Sequence, residues 1–251
     1  TIDFHVELAK PRGADEVVEM ARAAVERARG YTDDGEWSCM DATRSDPELI
    51  ARRVRVAIAA GATTLNLPDT VGCARPDQVA AMFRELQARV PEASGVVLSF
   101  HGQDDLGMAT ANSLAAISAG ARQVEVAVNG LGERAGNTAF EEVVMALRVH
   151  GEALGVETAV DTRGIWAVSQ AVARRSGFAV PPNKAIVGGN AFRHASGIHQ
   201  DGVLKCRETY EAVDPAEIGH PVGTQIVLGK LSGRAGFASR VRALGIAPSD
   251  A

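Results

Sequence analysis

The sequence predicts an α/β fold built from consecutive parallel βα units, and two observations support this expectation. Short apolar runs alternate with segments of helical periodicity as far as about residue 151. The expected strands start near residues 36, 63, 96 and 122, so they recur about every 26 to 33 residues. That spacing is typical of strands joined by right-handed helical crossovers.

The first expected elements are a helix, a strand and a second helix. An amphipathic helix is predicted over Ala14 to Ala28, because apolar residues recur there on one helical face. The first strand is predicted in "EWSCMD", which ends at Asp41. In "SDPELIARRVRVAIAAG", Ser45 and Glu48 have the spacing of a capping box and Pro47 lies near the first helical position.

Three more βα units are predicted after this helix. "TTLNLP" is followed by the helical "RPDQVAAMFRELQARV", and the apolar "GVVLSFH" by the small-residue helix "MATANSLAAISAG". "RQVEVAVNG" is the fourth strand, and Thr138 with Glu141 is expected to open the helix after it. Eight such units close a barrel, whereas four leave two open edges that must be covered or paired.

The alternation ends near residue 151, and a mainly helical appendage is expected beyond it. It contains a helical stretch over Gly164 to Ser176, a turn at Pro181 and Pro182, and a last helix near Arg234 to Leu244. A glycine-rich segment with two histidines, "GGNAFRHASGIHQDG", lies between them. We therefore expect a barrel part over residues 1–160 and a helical linker or subdomain over residues 161–251.

Composition restricts the class of partner. With 251 residues, 46% of them apolar, the chain is long enough to bury a core. A net charge of −5 without a basic stripe argues against nucleic acid as a partner. The lack of a long apolar run argues against a membrane span, and Thr1 to Lys10 against a signal peptide, so a cytoplasmic protein is expected. Cys39, Cys73 and Cys206 have no paired spacing, so reduced thiols are expected.

Polar residues follow the predicted strands, where parallel βα folds bind their ligands. They are Asp41, Asp69 with Thr70, His101 with Gln103, and the loop "NGLGERAGN" that ends at Asn137. A lone histidine at a strand end is more often a hydrogen-bonded core residue than a ligand. Here Asn137 follows the neighbouring strand, where its amide oxygen could reach the same ion as His101.

Long motifs resemble a known enzyme family. They are "NLPDTVG", "HGQDDLGMATANSLAAISAGARQVEVAVNGLGERAGNTAFEEVVMAL", "SGIHQDGVLKCRETYE" and "GKLSGRAGF". They resemble the 2-isopropylmalate, homocitrate and citramalate synthases, and "IHQDG" with "NGLGERAGN" favours this acyltransferase branch over related aldolases and lyases. The resemblance implies the second half of a (β/α)8 TIM barrel, with four parallel βα units and a small, mainly helical appendage.

The resemblance also implies an activity and its cofactors. Family members condense acetyl-CoA with a 2-oxo acid that a divalent metal, Mg, Mn or Zn, chelates. The metal polarises the ketone, a base removes a proton from the acetyl methyl, the enolate attacks the ketone, and thioester hydrolysis follows. Among the possible 2-oxo acids, 2-oxoisovalerate is expected because it is the commonest substrate of the family.

The implied metal ligands are His101, Asn137 and Gln103. Gln103 replaces a second histidine, and its amide oxygen binds magnesium or manganese better than zinc, so this ligand is weakened. Met40 replaces an acidic residue near the metal and substrate, and a thioether has no acid–base function at neutral pH. The family's first-strand Arg-Asp-Gly-Glu motif, with another metal ligand, is not encoded in these residues.

The resemblance assigns five more residues. Thr70 and Arg134 fall on substrate-binding positions, and Glu133 on the loop that shapes the site, with a catalytic role. His199 and Tyr210 match catalytic residues that family members bring into the barrel of the neighbouring subunit. Alternatives are a surface packing role for Tyr210, a turn role for Thr70 and a local ion pair for Glu133 with Arg134.

Two functions remain open. In the first, the chain is part of an enzyme whose site is completed by a missing N-terminal segment or a partner polypeptide, as a homodimer or a hetero-oligomer. In the second, it is a non-catalytic regulatory or binding subunit. Gln103 and Met40 favour the second function, whereas retention of the other site residues favours the first.

Overall fold

The structure, a computed structural model, describes residues 13–247. These residues separate into two units, one up to Val143 and one from Val144. The domain boundary expected after residue 160 stays a prediction.

The first unit contains a four-stranded parallel sheet whose strand order follows the chain, which confirms the predicted βα units. Its helices and strands are α1 (Ala14–Arg29), β1 (Glu36–Ser38), α2 (Pro47–Ala59), β2 (Thr64–Asp69), α3 (Pro76–Arg89), β3 (Val97–Gly102), α4 (Ala109–Ser118) and β4 (Gln123–Glu125), followed by α5 (Phe140–Leu154), which runs on into the second unit.

Two predicted helix starts differ from the structure. Asp46, not Ser45, caps α2, and its carboxylate accepts the N–H groups of Glu48 and Leu49 at 2.9 and 3.0 Å. Aspartate directly before Pro47 is as good an N-cap as serine, so the helix is capped one residue later than the spacing of Ser45 and Glu48 predicts. The helix α5 begins two residues after Thr138, whose hydroxyl lies 3.0 Å from the Ser113 hydroxyl.

One face of the sheet is apolar and packs against helices. Leu65, Leu67 and Phe100 are fully buried there, and the Phe100 ring meets the Phe83 ring of α3 edge to face at 6.2 Å. Burial of each such side chain stabilises the fold by roughly 1.5–3 kcal/mol. This face forms the core of the first unit.

The opposite face of the sheet is polar, and we call it the polar face. Successive side chains of a strand point to opposite faces, so the strand read as fully apolar instead alternates, with Ser99 and His101 on the polar face. The register places these side chains level with polar partners on neighbouring strands. The members of the polar face are Glu36, Ser38, Thr64, Asn66, Ser99, His101, Gln123 and Glu125.

The second unit is mainly helical, as predicted, with a two-stranded parallel sheet of β5 and β6. Its elements are α6 (Ile165–Ser176), β5 (Arg193–His194), α7 (Gly197–Lys205), β6 (Gln225–Ile226) and α8 (Arg234–Ala243). A Cβ at Gly236 of α8 would lie 2.0 Å from the Gln200 Oε1 atom of α7. The glycine therefore permits the close packing of these two helices.

None of the helices within residues 13–247 combines the length and the apolar character that a membrane crossing requires.

Candidate functional site

The strand ends bring the three expected metal-binding residues next to one another. His101 lies near the end of β3, and Gln103 directly follows that strand. The backbone of Gln103 forms an isolated antiparallel bridge with Asn137, at the end of the loop after β4. The Gln103 Nε2 atom lies 3.1 Å from the His101 Nε2 atom.

Two amide oxygens at this place are buried without a hydrogen-bond partner. They are Gln103 Oε1 and Asn137 Oδ1. The Asn137 amide nitrogen donates to the Leu131 carbonyl at 3.2 Å, so only its oxygen is left over. A buried carbonyl oxygen without a partner costs about 1–3 kcal/mol, which a bound cation would offset.

The donor set fits a hard divalent cation. One imidazole nitrogen and two amide oxygens suit magnesium or manganese better than zinc. All three donors are neutral, and within residues 13–247 no group of three or more His, Cys, Asp or Glu side chains is placed to hold a metal.

Glu125 lies beside the Nδ1 atom of the His101 ring and influences which ring nitrogen carries the proton. The Glu125 Oε2 atom lies 2.7 Å from the His101 Nδ1 atom, although off the direction of the ring N–H, so the contact acts through charge rather than as a hydrogen bond. The other Glu125 oxygen accepts the Asn66 amide at 2.8 Å. A carboxylate at Nδ1 favours the proton there and leaves the Nε2 lone pair available.

Side chains of the outermost strands meet across the polar face. The Gln123 Nε2 atom of β4 donates to Glu36 of β1 at 2.5 Å and to the Ser99 hydroxyl at 3.1 Å. The sheet is therefore curved, with the polar face on its concave side. Partial burial and the neighbouring Glu125 carboxylate raise the pKa of Glu36, although this residue is exposed to solvent.

Thr70 and Arg134 lie together at the loops after β2 and β4. The Thr70 hydroxyl accepts the Asp41 N–H at 2.8 Å, and the Arg134 Nη2 atom donates to the Thr70 carbonyl at 2.7 Å. The Thr70 hydroxyl hydrogen stays available for an acceptor such as a substrate carboxylate. The Arg134 guanidinium also binds Asp105, and this pair holds the pKa of the Asp105 carboxyl below its ordinary value.

The loop around Glu133 is open to solvent. The Glu133 side chain is 85% exposed, and its carboxylate lies 3.7 Å from the Arg134 guanidinium. A Cβ at Gly132 would lie 2.5 Å from the Asn137 Nδ2 atom, so glycine is needed there to make room for the amide. The catalytic role of Glu133 stays a prediction, since the structure shows a local ion pair.

The two residues Met40 and Asp41, which follow β1, differ in their exposure to solvent. The Met40 side chain is exposed, whereas Asp41 is fully buried and binds the Arg44 guanidinium at 2.9 and 2.5 Å. Asp69 accepts the Thr43 hydroxyl and the Ala74 N–H. These two aspartates therefore hold loops in place.

The second unit brings His199 and Tyr210 together. Their rings stack with centroids 4.1 Å apart and an interplanar angle of 28°, and both side chains are exposed. A Cβ at Gly202 would lie 2.6 Å from the Tyr210 ring, so glycine on α7 gives the ring its place. The pair is presented on the surface of this unit.

Sequence reasoning missed several residues that shape these groups. Glu125 lies 2.7 Å from the His101 ring and accepts a hydrogen bond from Asn66, and Asp105 pairs with Arg134. A signal was present in the sequence, because polar residues recur at every second position of the strands that carry Glu125 and Asn66.

Four parallel βα units with polar side chains gathered at the carboxyl ends define one half of a ligand-binding (β/α)8 barrel. The chain belongs to the HMGL-like family, whose profile matches residues 1–172. A second profile, described as homocitrate synthase post-HMGL domain-like, matches residues 186–251. The resemblance recognised in the sequence is thereby confirmed.

Curated relatives carry the name 2-isopropylmalate synthase. The protein of Hydrogenovibrio crunogenus is 53% identical over 246 residues, which are 98% of this chain and 48% of that protein. The protein of Methylorubrum populi is 49% identical over 250 residues, which are 100% of this chain and 48% of that protein. The chain thus spans about half the length of the curated relatives it matches.

Solved structures share the fold. An HMG-CoA lyase from Bacillus subtilis has a TM-score of 0.60 at 21% identity, covering 72% of this chain and 62% of the other. A hydroxymethylglutaryl-CoA lyase from Pseudomonas aeruginosa has a TM-score of 0.58 at 23% identity, covering 71% and 61%. The predicted fold class, half of a TIM barrel followed by a small helical part, is confirmed.

Proposed function

We propose that this chain carries the second half of the barrel of a 2-isopropylmalate synthase-like acyltransferase, which condenses acetyl-CoA with a metal-chelated 2-oxo acid, most simply 2-oxoisovalerate. The relatives of this name support the proposal, since they match the chain along its length. The observation that carries it is the pair of buried, unpartnered oxygens of Gln103 and Asn137 next to His101.

The first unit supplies groups that hold a metal and a substrate. His101, Gln103 and Asn137 would hold the divalent ion, Mg, Mn or Zn, which supplies Lewis-acid polarisation of the ketone when bound. The Thr70 hydroxyl donates to the carboxylate of the 2-oxo acid. Arg134 positions that threonine through its carbonyl oxygen.

The second unit supplies proton handling. We assign removal of the acetyl methyl proton to the His199 imidazole, which Tyr210 orients by stacking on its ring. Both rings are exposed, which suits action in the barrel of another subunit. Glu133, also exposed, is assigned to shape the mouth of the site and to take part in proton transfer.

Completion of the barrel requires four more βα units. The curated relatives are about twice as long as this chain, so the part of them that this chain does not cover is more than long enough for the missing units. A further segment, or a partner polypeptide in a hetero-oligomer, would pair with the edge strands β1 and β4 and supply a carboxylate ligand. A homodimer would bring His199 and Tyr210 to a second barrel.

The test combines this chain with the complementary first half of the Hydrogenovibrio crunogenus relative. Release of the coenzyme A thiol from acetyl-CoA is measured with 2-oxoisovalerate and Mg²⁺ or Mn²⁺. We expect release that requires both polypeptides and the metal, and that is lost in His101→Ala but kept in the surface control His150→Ala. Absence of thiol release in every combination contradicts the proposal.

A non-catalytic binding subunit is the second candidate. The contact of the Gln103 amide nitrogen with the His101 lone pair favours it, as does the exposed thioether of Met40 in place of an acid. This function predicts binding of a 2-oxo acid or a CoA ester by the mixed halves without thiol release. It also predicts that Met40→Glu leaves thiol release absent.

A further inference from the structure

We propose that Gln103 is a two-state side chain whose amide nitrogen occupies the His101 lone pair in the metal-free chain and whose amide oxygen takes that place when a divalent cation binds. The inference rests on the metal site of the proposed function. It adds a switch of the Gln103 amide, which is possible because this chain has glutamine in place of a second histidine.

The metal-free state follows from the chemistry around His101. Glu125 lies against the Nδ1 atom and favours the proton there, so the Nε2 atom is an acceptor. The neighbour of Nε2 must then be a donor, and the Gln103 amide nitrogen lies 3.1 Å away. An amide oxygen in that position would face the lone pair and be repelled.

The cation-bound state needs little movement. Two neighbouring ligands of an octahedral magnesium ion, each ~2.0–2.1 Å from the metal, are about 3 Å apart. The present 3.1 Å between the Nε2 atoms of His101 and Gln103 is therefore already the separation of two such ligands. A half-turn of the amide exchanges nitrogen for oxygen at the same place.

The surroundings of Gln103 leave its oxygen free to make this exchange. The side chain is buried and its backbone is fixed by the bridge to Asn137. The Oε1 atom has no hydrogen-bond partner in its present position, so the half-turn breaks no hydrogen bond of the oxygen and gives up the contact between Gln103 Nε2 and the His101 ring. The Asn137 Oδ1 atom, also without a partner, is a second oxygen ligand from the same bridge.

Two properties follow. The cation competes with the internal contact between Gln103 and His101, so binding is weaker than for a preformed pair of imidazoles. An oxygen ligand next to one nitrogen selects Mg²⁺ and Mn²⁺ over Zn²⁺.

The metal-free state is tested by nitrogen NMR of the His101 ring in the full chain. We expect the tautomer with the proton on Nδ1, and an Nε2 signal that moves toward the position of a free lone pair in Gln103→Leu. The control Gln87→Leu, which changes a glutamine bonded to the Phe83 and Ala119 carbonyls, should leave that signal in place. An Nε2 signal unchanged in Gln103→Leu overturns the proposal.

The cation-bound state is tested with Mn²⁺ as the probe, by the paramagnetic resonance signal of the free ion. We expect Gln103→Leu to lower Mn²⁺ affinity at least tenfold, because it removes a ligand. Gln103→Glu should raise the affinity, because a carboxylate ligates and never donates. Equal affinity of Gln103→Leu and the unchanged chain refutes the exchange while leaving thiol release possible, so the two failures are distinguishable.

Discussion

Arg134 and Asp105 form a two-pronged ion pair, with Nε to Oδ1 at 2.8 Å and Nη2 to Oδ2 at 2.9 Å. The same guanidinium donates to the Thr70 carbonyl at 2.7 Å. One side chain thus joins the loops that follow β2, β3 and β4. Arg134 has a φ of 57°, which is uncommon for a residue other than glycine. The left-handed backbone at Arg134 therefore occurs at the residue whose guanidinium holds both partners.

Arg134→Lys should loosen these loops. A lysine ammonium is a point charge and cannot make two parallel hydrogen bonds and a third to the carbonyl. We expect the midpoint of thermal unfolding of the first unit to fall by a few degrees. The control is Arg75→Lys, because Arg75 makes a similar two-pronged pair with Asp77, two residues away in the chain. An equal decrease of the unfolding midpoint in both variants would show that the bonds of Arg134 to the three loops add nothing to stability.

Gly202→Ala should displace the Tyr210 ring. The added Cβ would lie 2.6 Å from that ring, whereas a Cβ at the control position Gly189 would meet no atom within 4 Å. We expect the ring-current shift that Tyr210 imposes on the His199 protons to be lost in Gly202→Ala and kept in Gly189→Ala. Alanine also raises helix propensity by ~1 kcal/mol, so the NMR signal is a better measure than stability. An unchanged shift contradicts the packing described.

His220 should make the second unit sensitive to acid. Burial, and then the Arg193 charge, lower the pKa of His220, and its Nδ1 atom accepts the Gly223 N–H at 3.0 Å. Its ring also packs edge to face on Trp166 at 4.3 Å. Because the unfolded chain binds the proton more readily, stability is complete above the unfolded pKa of about 6.5 and falls as the pH drops below it.

The measurement is the unfolding midpoint of the second unit between pH 8 and pH 5. His220→Asn keeps an acceptor near the Nδ1 position and removes the titrating group. We expect the acid-dependent decrease to be smaller in this variant than in the unchanged chain. Parallel curves for the two proteins would rule out His220 as the cause.

Glu36→Gln should stabilise the first unit at neutral pH. The pKa of Glu36 is raised by burial and by Glu125, so the folded state holds this proton more tightly than the unfolded state. The stability that the protonated form contributes is present below the unfolded pKa of about 4.3 and is lost as the pH rises through the folded value. Glutamine keeps an acceptor for the Gln123 amide and carries no charge.

The check compares unfolding at pH 7 and at pH 4. The advantage of Glu36→Gln should be present at the higher pH and small at the lower one. Glu92→Gln, at an exposed position that is not part of the polar face, is the control and should change little. A destabilised Glu36→Gln at pH 7 would mean that the carboxylate of Glu36 is needed in its charged form.

Much of the first unit could be predicted from periodicity, because buried strands and amphipathic helices have different repeats. The helix starts could not, since Ser45 and Asp46 are equally good caps and only the fold decides between them. The sequence does not predict the polar face either. An apolar run such as "VVLSF" looks buried on both faces, although Ser99 and His101 share a face with Asn66 and Glu125.

The sequence predicts that three residues of the candidate metal site lie close together, but it does not predict their contacts. The motifs give His101, Gln103 and Asn137, and the strand ends explain why they meet. The Gln103 amide nitrogen meets one nitrogen of the His101 ring, and Glu125, which lies on another strand, meets the other nitrogen. No spacing in the sequence indicates that Gln103, His101 and Glu125 contact one another in this order.

The outer strands β1 and β4 have three residues each, whereas the inner strands have six. A short edge offers few free N–H and C=O groups to a stray chain, and this limits self-association into fibrils. Because these edge strands are short, the polypeptide proposed to complete the barrel would gain little binding energy from backbone hydrogen bonds to them. The side chains of the polar face would then determine which polypeptide binds.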